Sequence, residues 1–121
     1  MSSILIVDDD EGMVETLADI LTARRYDVVT ARSGETAVDQ AARSPVDVVL
    51  MDIQMPGING VQALHAMKAA SPDIKVIMMT AFTRDELVAE AQRAAPVAIV
   101  PKPLDLRYVL DLVDRVAHGE A

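Results

Sequence analysis

The chain of 121 residues is 51% hydrophobic, which is enough for one domain with its own core, and no run approaches the length of a membrane span. Its formal net charge of -8 and its aromatic content of 2% oppose binding to a phosphate backbone and stacking on bases, so we expect no direct binding of nucleic acid. Because it has no cysteine and no basic secretory start, we expect a soluble cytoplasmic protein without disulfides, thiolate catalysis, cysteine-ligated zinc or a membrane partner.

The first apolar run, Ile4–Val7, shows no alternation of polar and apolar residues and predicts a central strand. It ends at three successive carboxylates, Asp8, Asp9 and Asp10, and an Asp placed directly before a helix can cap its first turn. A weaker run at Val28–Ala31 predicts an edge strand. Ser33 then occupies the position of an N-cap for the second helix.

The stretch from Val46 to Met51 predicts a third strand that is buried on both faces and ends at Asp52. The following Pro56, Gly57 and Asn59 indicate a tight loop before the third helix. In open α/β sheets, ligands bind outside the carboxyl ends of the strands. A carboxylate at Asp52 is therefore placed for chemistry more than for stability.

Two further buried strands are predicted at Lys75–Met79, which ends at Thr80, and at Val97–Val100, which is followed by Lys102. The residues Thr83–Glu86 fit a capping box for the fourth helix.

Asp105 can cap the last helix, in which Tyr108 and Leu112 are expected to point outward as apolar contacts. The side chains expected to point inward from this helix are Leu106, Val109, Leu110, Val113 and Val116.

Strand and helix alternate five times, which predicts a single doubly wound (βα)5 domain of the α/β class, with a parallel sheet covered by helices on both faces. The carboxyl ends of its strands share one edge, so the polar residues that follow them can converge. Clustered carboxylates repel each other, and Mg²⁺ would resolve the repulsion while keeping positions open for phosphate oxygens. Asp52 could then act as a nucleophile toward a phosphoryl donor, with Lys102 and the Thr80 hydroxyl binding phosphoryl oxygens.

Four motifs in this order resemble the receiver domain of two-component response regulators, over essentially the whole chain. They are Ile4–Asp10, Met51–Gly60, Met79–Ala81 and Lys102–Pro103. The resemblance implies the flavodoxin-like sheet order 2-1-3-4-5 and a cis Lys102–Pro103 bond. It implies that Asp52 accepts the phosphoryl group, that Thr80 is the switch hydroxyl and that Lys102 pairs with the phosphate. The implied Mg²⁺ ligands are Asp8, Asp9, Asp52 and the main-chain carbonyl of Gln54.

The resemblance also implies a signalling switch that catalyses only its own phosphorylation and dephosphorylation and is not otherwise an enzyme. Its phosphoryl donor would be a sensor histidine kinase or a histidine phosphotransfer protein. A downstream protein or a second copy would bind the face formed by the fourth helix, the fifth strand and the fifth helix. We expect residues 1–121 to form one receiver domain, with no output domain in this chain.

The chain departs from the family pattern at several positions. Ile99 stands where the family usually has Tyr or Phe, so we expect phosphorylation to change the last face less than usual. Pro96 should stiffen the loop before the fifth strand. Gln54 and Phe82 border the path of the attacking water in the family, and the bulk of Phe82 predicts slow self-dephosphorylation.

Two alternative functions stay open at this point. One is a receiver-like module that binds partners without being phosphorylated, which Ile99 and Pro96 favour. The other is a phosphohydrolase with Asp52 as its nucleophile. The phosphohydrolase is disfavoured because Gln54 stands where such enzymes carry a second carboxylate as the acid.

Overall fold

The computed structural model describes residues 2–81 and 86–119. Phe82 and the first three residues of the capping box predicted at Thr83–Glu86 lie outside these ranges, so the predictions made for them are not addressed by the structure.

Strands and helices alternate throughout the described residues, as the sequence predicts, and the strand bounds differ from the predicted ones by at most two residues. The elements are β1 (Ser3–Val7), α1 (Glu11–Ala23), β2 (Asp27–Ala31), α2 (Gly34–Arg43), β3 (Val48–Asp52), α3 (Gly60–Ala70), β4 (Lys75–Thr80), α4 (Glu86–Arg93), β5 (Ala98–Pro101) and α5 (Leu106–Ala117). Among these described helices, none combines the length and the apolarity that crossing a bilayer requires.

The five strands form one parallel sheet in the order β2-β1-β3-β4-β5, which confirms the predicted fold. All five residues of β3 are buried, as expected for a strand covered on both faces. The carboxyl ends of β1, β3 and β4 therefore lie side by side at one edge of the sheet. The Lys102–Pro103 peptide bond that follows β5 is cis, as the resemblance implies.

The sheet separates two apolar clusters, one on each face. Ile4 and Ile6 of β1 pack on the side of α1 and α5, whereas Leu5 and Val7 pack on the side of α2, α3 and α4. This division follows from strand geometry, because successive side chains point to opposite faces. Both faces are covered by helices, so the polar ends of the strands are the parts of the sheet that can contact a ligand.

Three helices begin at the N-cap residues that the sequence predicts. The side chains of Asp10, Ser33 and Asp105 each accept a hydrogen bond from the main-chain N–H three residues later. Helix α3 begins with a capping box formed by Asn59 and Gln62, which the sequence analysis did not identify.

The predicted orientation of two leucines in α5 is wrong. Leu112 is only 7% exposed and belongs to the core, whereas Leu106 is 38% exposed. Leu112 lies three residues after Val109 and four before Val116, so it shares their buried face. Leu106 is the first residue of the helix, so no preceding turn of the helix lies where its side chain would pack. Tyr108 is 47% exposed, as predicted.

Tyr26 joins the turn between α1 and β2 to helix α5. Its hydroxyl donates a hydrogen bond to the carboxylate of Asp114, which also lies 2.9 Å from the guanidinium of Arg24. Burial, followed by the hydrogen bond to Asp114, raises the pKa of Tyr26 to about 12. The folded state therefore favours the protonated phenol.

We predict that Tyr26→Phe lowers the free energy of unfolding by about 1.5 kcal/mol at neutral pH, because a hydrogen bond to a charged acceptor is lost. The folded pKa of about 12 exceeds that of the unfolded chain, so the contribution of Tyr26 is fully present below pH ~10 and is lost as the pH rises toward 12. The difference in the free energy of unfolding between wild type and variant should therefore become smaller over this pH range. Urea unfolding between pH 7 and 11 measures it, with the exposed Tyr108→Phe as control. A difference in unfolding free energy that does not change with pH would contradict the assigned hydrogen bond between Tyr26 and Asp114.

We also predict opposite effects for two glycine substitutions in helices. A Cβ at Gly60 would lie 2.5 Å from the carbonyl oxygen of Asp52 and 2.9 Å from the Cα of Ile53. Gly60→Ala should therefore lower the free energy of unfolding by about 2 kcal/mol. A Cβ at Gly12 would meet nothing closer than 3.7 Å, so Gly12→Ala should stabilise α1 by about 0.5 kcal/mol. Thermal unfolding of both variants compares them. Equal stability of the two would show that the contact between α3 and β3 is looser than described.

Candidate functional site

Three carboxylates meet at the carboxyl edge of the sheet. Asp8 directly follows β1 and Asp52 is the last residue of the neighbouring β3. One carboxylate oxygen from each of Asp8, Asp9 and Asp52 lies within 4.8 Å of the others. Asp8 is fully buried, Asp52 is 7% exposed and Asp9 is exposed. The cluster is therefore enclosed by the protein on one side and open to solvent on the side of Asp9.

The ammonium group of Lys102 binds two of these carboxylates. Its Nζ lies 2.6 Å from Oδ2 of Asp8 and 3.2 Å from Oδ2 of Asp52. Lys102 follows β5, so this ion pair joins the ends of three strands. The sequence predicts that Lys102 pairs with a phosphate and does not indicate its contact with Asp8. No local pattern could have shown that contact, because 94 residues separate the two positions.

Burial and charge shift the acid–base properties of this ion pair. Burial and the nearby charge of Asp8 raise the pKa of Asp52, and they outweigh the opposing effects of Lys102 and the Gln54 N–H. Burial lowers the pKa of Lys102, but its ion pairs with Asp8 and Asp52 outweigh this effect, so the pKa is raised. The Asp52 carboxylate is thus more basic than an ordinary aspartate and lies beside a lysine that stays charged at neutral pH.

Thr80 is the last residue of β4 and is 4% exposed. It pairs in register with Pro101 of β5, and its carbonyl oxygen accepts the N–H of Lys102 at 2.8 Å. The ends of β4 and β5 are thereby tied together. Thr80 and Lys102 consequently lie at the same edge of the sheet as Asp52.

Gln54 begins the loop that leads from β3 to α3. Its N–H donates a hydrogen bond to Oδ1 of Asp52 at 3.3 Å, which places its main chain next to the carboxylate. At the other end of the loop, the N–H of Gly60 donates to the carbonyl oxygen of Ile53 at 2.7 Å. The role of the Gln54 carbonyl as a metal ligand stays a prediction.

The donor set fits a hard divalent cation such as Mg²⁺. Such ions prefer oxygen ligands and are usually held by a few carboxylates together with water or phosphate oxygens. Asp8 and Asp52 supply buried oxygens, and the exposed Asp9 leaves room for water on the outer side. Asp10, the third carboxylate of the run, accepts the N–H of Met13 as a helix cap and lies outside the cluster.

Two departures from the expected pattern are visible in the structure. Ile99 is partly buried and packs against the apolar core on the side of α2, α3 and α4. Before β5, Ala95 has a left-handed φ of 57°, and the Lys68 ammonium donates to the carbonyl oxygens of Ala94 and Ala95 at 3.2 and 3.0 Å. This loop is therefore tied to α3. The stiffening expected from Pro96 stays a prediction.

Comparison with known proteins gives one family. The profile of the response regulator receiver domain matches residues 4–114. Response regulator protein FleR of Pseudomonas aeruginosa is 34% identical over 119 residues, which cover 98% of this chain and 25% of FleR. Sporulation initiation phosphotransferase F of Bacillus subtilis is 31% identical over 112 residues, which cover 93% of this chain and 90% of that protein. The chain thus spans only a quarter of FleR but most of the second relative.

A solved structure agrees with these relatives. TrrA from Thermotoga maritima, determined in complex with Mg²⁺-BeF, has a TM-score of 0.85 to this chain at 28% identity. The match covers 96% of this chain and 99% of TrrA.

We predict that the three clustered carboxylates bind Mg²⁺ and that Asp10 does not contribute. Asp8→Asn or Asp9→Asn should weaken Mg²⁺ binding at least about tenfold, because each removes a charged ligand. Asp10→Asn removes the same charge from the same run but retains a capping side chain, so it should bind Mg²⁺ as the wild type does. Isothermal calorimetry at fixed ionic strength measures the affinities. An equal loss in all three variants would point to general attraction by acidic residues and away from a specific site.

Proposed function

Since the chain belongs to the family of response regulator receiver domains, we propose that Asp52 accepts a phosphoryl group from a sensor histidine kinase or a histidine phosphotransfer protein. The observation that carries this proposal is the position of the Asp52 carboxylate, which lies beside Asp8, Asp9 and the Lys102 ammonium at one edge of the sheet. Receiver domains are signalling switches, and we propose that this one catalyses only its own phosphorylation and dephosphorylation.

In the proposed transfer, a carboxylate oxygen of Asp52 forms a bond to phosphorus while the P–N bond of the donor phosphohistidine breaks. The leaving imidazole nitrogen keeps the electron pair and takes up a proton. Asp8, Asp9 and the Gln54 carbonyl would hold Mg²⁺ together with Asp52, and the ion would neutralise charge on the phosphoryl oxygens. The Gln54 N–H and the Lys102 ammonium both contact the Asp52 carboxylate, so its oxygens are held in place, and positioning and charge neutralisation would supply the catalysis.

Lys102 and Thr80 would stabilise the phosphorylated state. The Lys102 ammonium already binds two carboxylate oxygens, so it could transfer one of these contacts to a phosphoryl oxygen with little movement. The Thr80 hydroxyl would donate to another phosphoryl oxygen. Because Thr80 and Lys102 follow β4 and β5, their adjustment would be transmitted to the elements that those strands support.

We propose that the signal leaves through the face of α4, β5 and α5, where a downstream protein or a second copy would bind. The apolar side chains that support this face are Leu106 and Tyr108 of α5, which are 38% and 47% exposed. Leu112, buried in the core, takes no part in it. We further propose that the protein acts in the cytoplasm and that residues 1–121 form one receiver domain.

A second candidate function rests on Ile99. This residue stands where the family usually has an aromatic switch residue, and its side chain is partly buried against the core. Such a domain could present its surface to partners without phosphorylation. The two functions differ in whether Asp52 is ever modified.

We predict that incubation with acetyl phosphate and Mg²⁺ adds one phosphoryl group to the protein and that Asp52→Asn prevents it. Here the P–O bond of acetyl phosphate breaks and acetate leaves. Intact-mass spectrometry measures the product, and a sample with excess chelator tests the metal requirement. Asp9→Asn should slow the reaction at least about tenfold, whereas Asp10→Asn should not.

An unmodified wild type that nevertheless binds Mg²⁺ would favour the phosphorylation-independent module. Steady hydrolysis of a generic phosphomonoester would instead favour a phosphohydrolase.

A further inference from the structure

The N-terminus of α2 packs directly on the loop of residues 53–59, which we call the β3–α3 loop. The Glu35 carboxylate accepts a hydrogen bond from the Ile58 N–H, with Oε2 at 3.3 Å from the nitrogen. A Cβ at Gly34 would lie 2.6 Å from Cγ1 of Ile58 and 3.0 Å from its carbonyl oxygen. Two consecutive residues of α2, Gly34 and Glu35, therefore lie against the main chain of the loop.

Gly57 makes room for this contact. It has a left-handed φ of +78°, which favours glycine, and a Cβ there would lie 2.4 Å from Oε2 and 2.8 Å from Oε1 of Glu35. A side chain at this position would overlap the Glu35 carboxylate, which would have to move. The loop conformation and the position of Glu35 are therefore fitted to each other.

We propose that Glu35 is a positioning residue for the metal site. It holds the Ile58 N–H from outside the loop, and the same loop begins at Gln54, whose N–H contacts Asp52 and whose carbonyl is a proposed Mg²⁺ ligand. A loop fixed before the ion binds loses less conformational entropy on binding, which favours affinity. This inference rests on the proposed function, because only that function gives the Gln54 carbonyl its role.

Glu35 also lies in the first turn of α2, where any negative charge stabilises the helix dipole. That purely structural role depends on the charge, whereas the positioning role depends on an acceptor oxygen. Glu35→Gln loses the charge and keeps an acceptor. Asp39→Ala removes a charge from the same helix, at a residue whose partner is Arg43 of α2 itself.

The experiment measures three properties of the full chain. Glu35→Ala should weaken Mg²⁺ binding by about tenfold in calorimetry, a typical effect of losing a residue that orients a ligand. It should raise the Mg²⁺ concentration for half-maximal phosphorylation by the same factor and leave the rate at saturating Mg²⁺ unchanged. In the metal-free protein it should speed hydrogen exchange of the Ile58 N–H. Glu35→Gln and Asp39→Ala should resemble the wild type in all three.

Gly57→Ala provides a second variant, because its Cβ displaces the Glu35 carboxylate. Gly119→Ala is its control, since Gly119 has a similar φ of +74° and a Cβ there would meet nothing within 4 Å. Gly57→Ala should reproduce the loss of Mg²⁺ affinity and Gly119→Ala should not. Wild-type Mg²⁺ affinity in Glu35→Ala, or an equal loss in Glu35→Gln, would overturn the proposal.

Failure of the proposed function would look different. A wild-type chain that neither binds Mg²⁺ nor reacts with acetyl phosphate would remove the role of the metal site, and the positioning role would fall with it. If the wild type binds Mg²⁺ and is phosphorylated while Glu35→Ala matches it, the proposed function stands and only the inference about Glu35 is wrong.

Discussion

The ammonium of Lys102, held between Asp8 and Asp52, is the interaction on which the arrangement of the site depends. Two buried carboxylates on neighbouring strands would destabilise the fold without a cation, because burial strengthens their repulsion. When all groups are ionised, the three carboxylates and one ammonium leave two negative charges, which one divalent ion would balance. The lysine thus offsets part of the repulsion between the strand ends, and the remaining charge would favour a divalent cation.

The sheet accounts for the position of Asp52 and for its properties. Every residue of β3 is buried, so the strand is held on both faces and its last side chain has little freedom. Burial also raises the pKa of Asp52, an effect that a bound divalent cation would oppose. The exposed Asp9 leaves the outer side of the cluster accessible to a donor protein. Rigid support and an open side are what the proposed transfer from a donor protein requires of Asp52.

The fold class could be predicted from the sequence because it is encoded locally. Unbroken apolar runs indicate buried strands, and single residues such as Asp10, Ser33 and Asp105 mark helix starts. The sheet order came from the family resemblance, since strand alternation does not determine it. Contacts between distant residues were not predictable: Lys102 meets Asp8 across 94 positions, and Glu35 meets Ile58 across 23. The burial of Leu112, by contrast, follows from its spacing of three and four residues from Val109 and Val116, so helical periodicity argues against the outward orientation predicted for it.

The two edge strands have a consequence for assembly. An unpaired strand can act as a template for a strand from another molecule, unless its length or its residues prevent it. At one margin, β2 carries an exposed Asp27 and an exposed Thr30. At the other, β5 has only four residues and ends in Pro101, which lacks the N–H that further pairing would need. Both margins are therefore poorly suited to sheet extension by a second molecule, which limits edge-to-edge aggregation of the folded chain.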